Sequence, residues 1–555
     1  MYSSRTMSIA AVFMTVVLLT SCQGGKTVIP NDSKESNEST FFSTVSIEPK
    51  ATIKTLSDGD LWPLAWSDDD IVYTANGDGK GFDPEPFADI VVNKFTGTPW
   101  EKNIKGNRIV AGDELGQIWS DSNKYNRKPT GMISVNGILY LAVQDLNKEE
   151  GANIFNDAPA ATILKSTDKG KTWTGLTSSP MFKNHTFTTI MFLDYGKDST
   201  DNTFDNYVYA YGMDNNWRDS FSDSVPDPTD LYLARMPKDS IQNTSMWEYY
   251  TGDLAGKATW SEPGAIGQKK PILHDARRVY KDVVKPGLHN MSVISQGSIV
   301  YNKPLNRYLC TSWTEYTFEF YEAPTPWGPW KRFLSKDFGV YPWTTDKQGG
   351  YATVIPSRFI SKDGQEMWLN SNTFVGGIKN YNFSLRKLYV TPYQKTKPEN
   401  EKNENNLALA EHGQDSTPIS RALRKGDLSI MNDGNRATKD DSWNGELKQE
   451  DWWGFTWSHA YNMNKVVYTT GDMDSAAGGW FDNIRVQVRQ NFVWTDVKDV
   501  KITPDYPHNA SAGEGQTYTF TFKDTWGDGV RIIGKPGGAE MYTSLSELEV
   551  YYANK

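Results

Sequence analysis

Gly59-Asp60-Leu61-Trp62-Pro63-Leu64-Ala65-Trp66-Ser67-Asp68-Asp69-Asp70-Ile71-Val72-Tyr73-Thr74-Ala75-Asn76-Gly77-Asp78-Gly79 is the stretch on which the reading of the fold turns. It reads as short aromatic-rich strand segments around an acidic turn. Similar patterns recur at roughly even spacing, centred on Thr130–Tyr140, Thr188–Tyr211, Asn290–Trp313 and Gly350–Asn372. Helical periodicity is scarce, and short alternating runs end at Gly, Asn, Asp or Pro, which is an all-β signature. Self-similarity at blade spacing marks a radial repeat. Each copy is followed by a second strand, such as Asp89-Ile-Val-Val-Asn-Lys94 after the first and Leu385-Arg-Lys-Leu-Tyr-Val390 after the last. The expectation is a five-bladed β-propeller over residues 45–394. Its inner strands would converge on one axis, so their ends would share one pocket.

The flanks are different. Met1 to Ser21 carries Arg5 and then an apolar run from Ile9 to Leu19, too short to span a bilayer and suited to a secretory signal. Leu19-Thr20-Ser21-Cys22 resembles a bacterial lipobox, which implies lipidation at Cys22. Gln23-Gly24-Gly25 has no Asp after the Cys, which favours the outer membrane or surface of a Gram-negative cell. The expected divisions are a signal over 1–22, a polar tether over 23–44, the propeller, a charged linker over 395–411 and a second unit over 412–555. Strand patterns in that unit include Asn483–Arg489, Thr517–Phe522, Gly529–Gly534 and Glu547–Tyr552. They resemble a discoidin-like, galactose-binding-like β-sandwich jelly roll. Trp443, Trp452, Trp453, Trp457 and Trp480 are its candidate sugar platforms, with some of them expected in the core.

Composition narrows the function. With Cys22 lipidated, Cys310 is the remaining cysteine, so neither an internal disulfide nor a Cys-based metal site is expected. Cys310 reads as a core residue. A net charge of -10 disfavours nucleic acid as a partner. The 20 Trp and 28 Tyr suit a carbohydrate-handling protein, because sugar faces stack on aromatic rings. No organic cofactor is expected, and a structural calcium in the jelly roll has no convincing ligand loop. Ser166-Thr-Asp168-Lys-Gly170-Lys-Thr172-Trp173 is an Asp-box, a hairpin device with no catalytic meaning. Asp68, Asp69 and Asp70 read as a solvated turn.

Glycoside hydrolysis needs two carboxyl groups astride the scissile bond. Asp60 precedes an inner strand and Asp78 follows it between Gly77 and Gly79, where the backbone can approach a substrate closely. They are the candidate catalytic pair, with the roles of acid and base left open. Trp62, Asp145, Asp214, Asn215, Trp217, His289, Trp313, Glu315 and Asn372 fall at comparable places and are read as substrate-binding. Glu315 is a reserve acid.

Gly59-Asp60-Leu-Trp62-Pro63 with Trp66-Ser-Asp68-Asp69 and Tyr73–Gly79 resembles the opening of the DUF4185 family. Tyr232–Arg235, Ala323–Trp330 and Pro356–Gly364 carry the resemblance along residues 50 to 394. Members include the endo-D-arabinanases of glycoside hydrolase family 183, which cut mycobacterial arabinogalactan and lipoarabinomannan. The resemblance implies a five-bladed propeller with catalytic aspartates in its first blade, which in this chain are Asp60 and Asp78. Two alternatives stand beside this. One is a polysaccharide lyase using His289, Tyr301 and Arg277 on a uronic-acid polymer. The other is a non-catalytic lipoprotein that captures glycan for an uptake complex.

Overall fold

The computed structural model describes residues 38–554, apart from 85, 116–124, 148–156, 176–178, 219–224, 255, 280–290, 315–316, 338–351, 373–380, 394–399, 410–415 and 491–492. Cys22, His289 and Glu315 lie outside the described residues. Among those described there is no α-helix, only 3₁₀ turns between strands, so the expected all-β class holds.

The chain opens with β1 (Phe42–Ile47) and β2 (Ile53–Lys54), whose partner comes much later. Five antiparallel groups follow. In the first, β3 (Asp58–Asp60) and β4 (Leu64–Trp66) pair with β5 (Val72–Gly81), and β6 (Ala88–Thr96) and β7 (Lys105–Ala111) continue the sheet. The second is β8 (Tyr125–Val135), β9 (Ile138–Asn147) and β10 (Ala160–Ser166). The third is β11 (Thr189–Asp194), β12 (Tyr207–Met213), β13 (Asp230–Pro237), β14 (Glu248–Leu254) and β15 (Lys257–Trp260), with β16 (Pro271–His274) also on β13. A short ladder joins β17 (Arg278–Val279) to β18 (Met291–Ser292). The fourth is β19 (Ile299–Asn302), β20 (Arg307–Trp313), β21 (Thr317–Ala323) and β22 (Lys331–Asp337), touching the third through a parallel contact of β19 with β11. In the fifth, β23 (Glu366–Asn370) and β24 (Ser384–Pro392) pair, and β24 also takes β1 and β2. The first strand thus completes the last sheet of this lobe.

Segments of all five repeats line one small cavity of about 30 Å³, with Leu64, Met132, Met191, Ile299 and Val354 in its wall. Gly131 permits the approach: a Cβ there would sit 2.7 Å from the Ile190 carbonyl oxygen. The Asp-box forms the expected hairpin. Asp168 Oδ1 accepts the Thr172 N–H at 2.9 Å, Gly170 takes a φ of 84°, and the Trp173 indole N–H donates to the Gly170 carbonyl.

The C-terminal strands are β25 (Thr417–Ser420), β26 (Asp440–Asp441), β27 (Asp451–Thr469), β28 (Arg485–Gln490), β29 (Val493–Asp496), β30 (Lys501–Thr503), β31 (Thr517–Gly534), β32 (Ser544–Leu545) and β33 (Glu547–Tyr551). The order β25-β27-β31-β28-β29 forms the main sheet, with β30 on β31 and β33 on β27, while β26 pairs with β32. Trp453, Phe455, Trp457 and Phe520 fill its core. Within the stretch expected as a linker, Asn403 and Leu407 donate backbone hydrogen bonds to Tyr552 and Val550, so part of it packs along the C-terminal sheet. The end of the expected tether is likewise taken up by β1.

Candidate active site

Asp60 is the last residue of β3 and lies opposite Gly77 of β5. The chain then leaves the ladder sharply. Leu61 and Trp62 take φ of 73° and 54°, and the Trp62 N–H bonds back to the Asp60 carbonyl at 3.0 Å. Positive φ at two bulky residues is costly and persists only when the surroundings enforce it. Here the enforcement is burial: Trp62 is fully enclosed, edge-on to Phe82 and Phe383, with its indole N–H on the Gly59 carbonyl. The turn drives Trp62 into the core and leaves the Asp60 carboxyl facing β5 and β8.

Asp78 follows on β5 with a φ of 37°. Between the two carboxyls stands Lys128 of β8. Its ammonium is 2.5 Å from Asp78 Oδ2 and 3.6 Å from Asp60 Oδ1. The Asn126 amide donates to Asp78 Oδ1 at 3.0 Å, and the Tyr381 hydroxyl donates to Asp60 Oδ2. Gly77 makes room for this. A Cβ there would lie 2.4 Å from Asp60 Oδ1 and 2.9 Å from the Lys128 ammonium. Burial lifts the Asp60 carboxyl above the usual carboxylate range. Lys128 pulls against that lift, the Asp78 charge adds to it, and the hydrogen bonds from Tyr381 and Lys128 oppose it.

Neutral polar groups adjoin the pair. Asn372 donates to the Gly59 carbonyl at 3.3 Å, and Gln296 donates to the Pro129 carbonyl at 3.1 Å. Asn126 Oδ1, Gln296 Oε1 and Asn372 Oδ1 are buried without a hydrogen-bond partner among the described residues. Buried polar atoms normally find partners, and the oxygens of Asn126 and Asn372 next to the pair suit a ligand rich in hydroxyls.

Of the residues read from sequence, Asp60, Asp78 and Asn372 come together here. The other described residues make different contacts. Trp62, Trp217 and Trp313, read from sequence as substrate-binding, have buried rings. Trp217 and Trp313 pack on each other at 5.8 Å, with the Arg218 guanidinium over Trp217. Their faces are already covered, so they offer no platform. Asp214 is held by the Phe187 N–H at 2.7 Å and Lys269 at 3.0 Å, and Asn215 caps the same turn through its backbone. Asp145 is buried on β9 across from Arg127. Of the rival lyase set, Arg277 is bound to Asp275 and Glu319 and Tyr301 packs on Tyr195 and Tyr308, while His289 lies outside the described residues. Cys310 is buried, and burial pushes its thiol up to about 12, as a core residue requires. Sequence reasoning missed Lys128, Asn126 and Tyr381. The signal for Lys128 was present: a basic pair, Arg127-Lys128, runs directly into the apolar strand that starts the second repeat.

In the C-terminal lobe Trp453 and Trp457 are core, and Trp480 is buried. Trp443 and Trp452 are half-buried beneath the guanidinium groups of Arg424 and of Arg421 and Arg531. Among the described residues no three His, Cys, Asp or Glu side chains gather as a metal set. Glu547 of β33 is a buried acidic residue of this lobe. Its carboxylate is buried with no donor in normal hydrogen-bond geometry, and burial, followed by the Asp433 charge, pushes it up to about 8.

Comparison with known proteins agrees with part of this reading. The family model DUF4185, a domain of unknown function, matches residues 66–356, just over half of the chain, and the chain belongs to that family. The match contains Asp78 and Lys128 and begins after Asp60. A search of curated proteins finds no match. Among solved structures, the chain is similar to a Bacteroides ovatus protein described as "a putative hydrolase", with 12% identity over 61% of this chain and 87% of that one, at a TM-score of 0.36. About a quarter of the chain resembles family 32 carbohydrate-binding modules of Clostridium perfringens. One, CpGH89CBM32-5 in complex with GalNAc-β-1,3-galactose, shares 14% identity over 26% of this chain and 99% of its own, at a TM-score of 0.22. Another, from NanJ in complex with galactose, shares 21% over 25% and 93%, at a TM-score of 0.20.

Proposed function

We propose that this chain is a glycoside hydrolase, with Asp60 as general acid and Asp78 as the ionised partner. The observation that carries the reading is the pair itself: two carboxyls on adjacent strands, joined through one lysine, with the deeper one held above its usual range. Asp60 would give its proton to the leaving glycosidic oxygen as the bond to the anomeric carbon breaks. Asp78 would take the proton of an attacking water or attack that carbon itself. The orphaned amide oxygens of Asn126 and Asn372 would accept sugar hydroxyls. In this reading the five strand groups are the blades of a five-bladed propeller, and the C-terminal lobe is a jelly roll that holds or orients the glycan. The first candidate substrate is D-arabinan, on the strength of the family resemblance. Lipidation at Cys22 and attachment to the outer membrane belong to the same proposal.

The test is product release from mycobacterial arabinogalactan by the purified protein, with Asp60→Asn and Asp78→Asn alongside. Short D-arabino-oligosaccharides from the unaltered protein, and a loss of about 10²–10⁴-fold in each folded variant, are expected. Equal release by a folded Asp78→Asn protein would remove the site. Ultraviolet-absorbing unsaturated products from any polysaccharide would replace hydrolysis with elimination.

A further inference from the structure

We propose that Lys128 is the positioning residue that fixes the charge of the carboxyl pair, balancing one negative charge only, so that Asp78 is the carboxylate and Asp60 keeps the proton. For its consequence in turnover this rests on the hydrolase reading, but the assignment itself does not. Lys128 has a side chain only 4% exposed and lies against two carboxyls, one 6% and one 24% exposed. A buried net charge is expensive. Among the described residues one ammonium faces these two carboxyls, and the neutral arrangement of the three groups has one carboxylate and one carboxylic acid.

Geometry says which is which. Asp78 has the closer ammonium contact and an amide donor on its other oxygen, and donors favour the charged form. Asp60 has the longer contact, the deeper burial and, among the described residues, one hydroxyl donor, Tyr381. The charged and titratable groups that act on Asp60 are Lys128 of β8, Asp78 of β5 and Tyr381 just before β24. Lys128 reaches the pair from a neighbouring sheet, so the packing of β8 against β5 sets the charge pattern.

The experiment labels the protein with ¹³C-carboxyl aspartate and follows carboxyl resonances against pH, using Asp60→Asn to assign the Asp60 signal. Lys128→Met and Lys128→Gln are compared with Lys128→Arg. Without the cation, the Asp60 midpoint is expected to rise by at least about one pH unit, and arginine to return it towards the starting value. The acidic limb of any pH–rate profile should also move upward, because a single carboxylate no longer has its counter-ion. An unmoved Asp60 midpoint in either neutral variant, folded by circular dichroism, overturns the assignment. A shifted midpoint supports it even if no polysaccharide is cleaved, in which case only the hydrolase reading falls. Cleavage with an unmoved midpoint removes the role of Lys128 and leaves the hydrolase.

Discussion

Gly77 illustrates how much rests on one missing methyl group. A Cβ at that position would occupy the gap between Asp60 and Lys128, at 2.4 and 2.9 Å from their polar ends. Gly77→Ala is therefore expected to abolish turnover while shifting the thermal midpoint only slightly, since β5 keeps its ladder; activity and calorimetry on the same sample check this. Asp60 makes a pH prediction. Its carboxyl is held above its ordinary value in the folded protein. A group raised in this way stabilises the fold fully below its unfolded value and loses that contribution as pH rises through the folded one. Activity should fall over the same rise, as the acid loses its proton. Asp60→Asn should flatten the stability component, measured as thermal midpoint against pH. At this scale the sequence was readable in part. The eighteen-residue step from Asp60 to Asp78 spans a turn, so an antiparallel return could bring both together. Lys128 was not readable as their partner, because that contact depends on how one sheet packs on the next. The tryptophans misled for a related reason: aromatic richness does not say which face of a strand is covered.

Strands and turns carried most of their own signal. The Asp-box was legible because Asp168 bonds within four residues of itself, to Ser166, Lys171 and Thr172. Those bonds hold the Asp168 carboxyl down at about 2. The opposite case is Asp194 at the end of β11. Its two oxygens accept the N–H groups of Gly196 and Ser357, each at 2.9 Å, tying the third group of strands to the 3₁₀ turn at Ser357–Phe359. Burial pushes this carboxyl up to about 6. Its contribution should be complete below the ordinary carboxylate value and disappear as pH rises through about 6. Asp194→Ala leaves two backbone donors unmet, at a cost of about 1–3 kcal/mol each. The expected result is a lower thermal midpoint at pH 4.5, with the gap to the unaltered protein narrowing at pH 7.5. An equal gap at both would contradict the linkage. Nothing local in the sequence around Asp194 names Ser357 as its partner, so this tie was invisible before the fold.

Among the described residues, polar contacts tie the two lobes together. Arg489 of β28 pairs with the fully buried Asp528 at 2.7 Å and donates to the Ser43 carbonyl of β1 at 2.8 Å. Breaking a buried pair by removing one partner costs about 3–5 kcal/mol. Arg489→Ala should lower the melting temperature of the C-terminal lobe and split a single calorimetric transition into two; one unshifted transition would show the contact to be incidental. The registers of β1 and β24 give this junction a mechanical meaning. Phe42 lies opposite Pro392, and Ile47 opposite Leu388. The chain thus enters and leaves the ladder at the same end. A pull between the segment before Phe42 and the segment after Pro392 would peel the rungs one at a time and would not load them together in shear. At the end where peeling begins, the Tyr393 N–H is bonded to the Phe41 carbonyl and Arg489 grips Ser43. Those two bonds act as a clasp on a zipper, and their strength sets the force at which the N-terminal lobe begins to open.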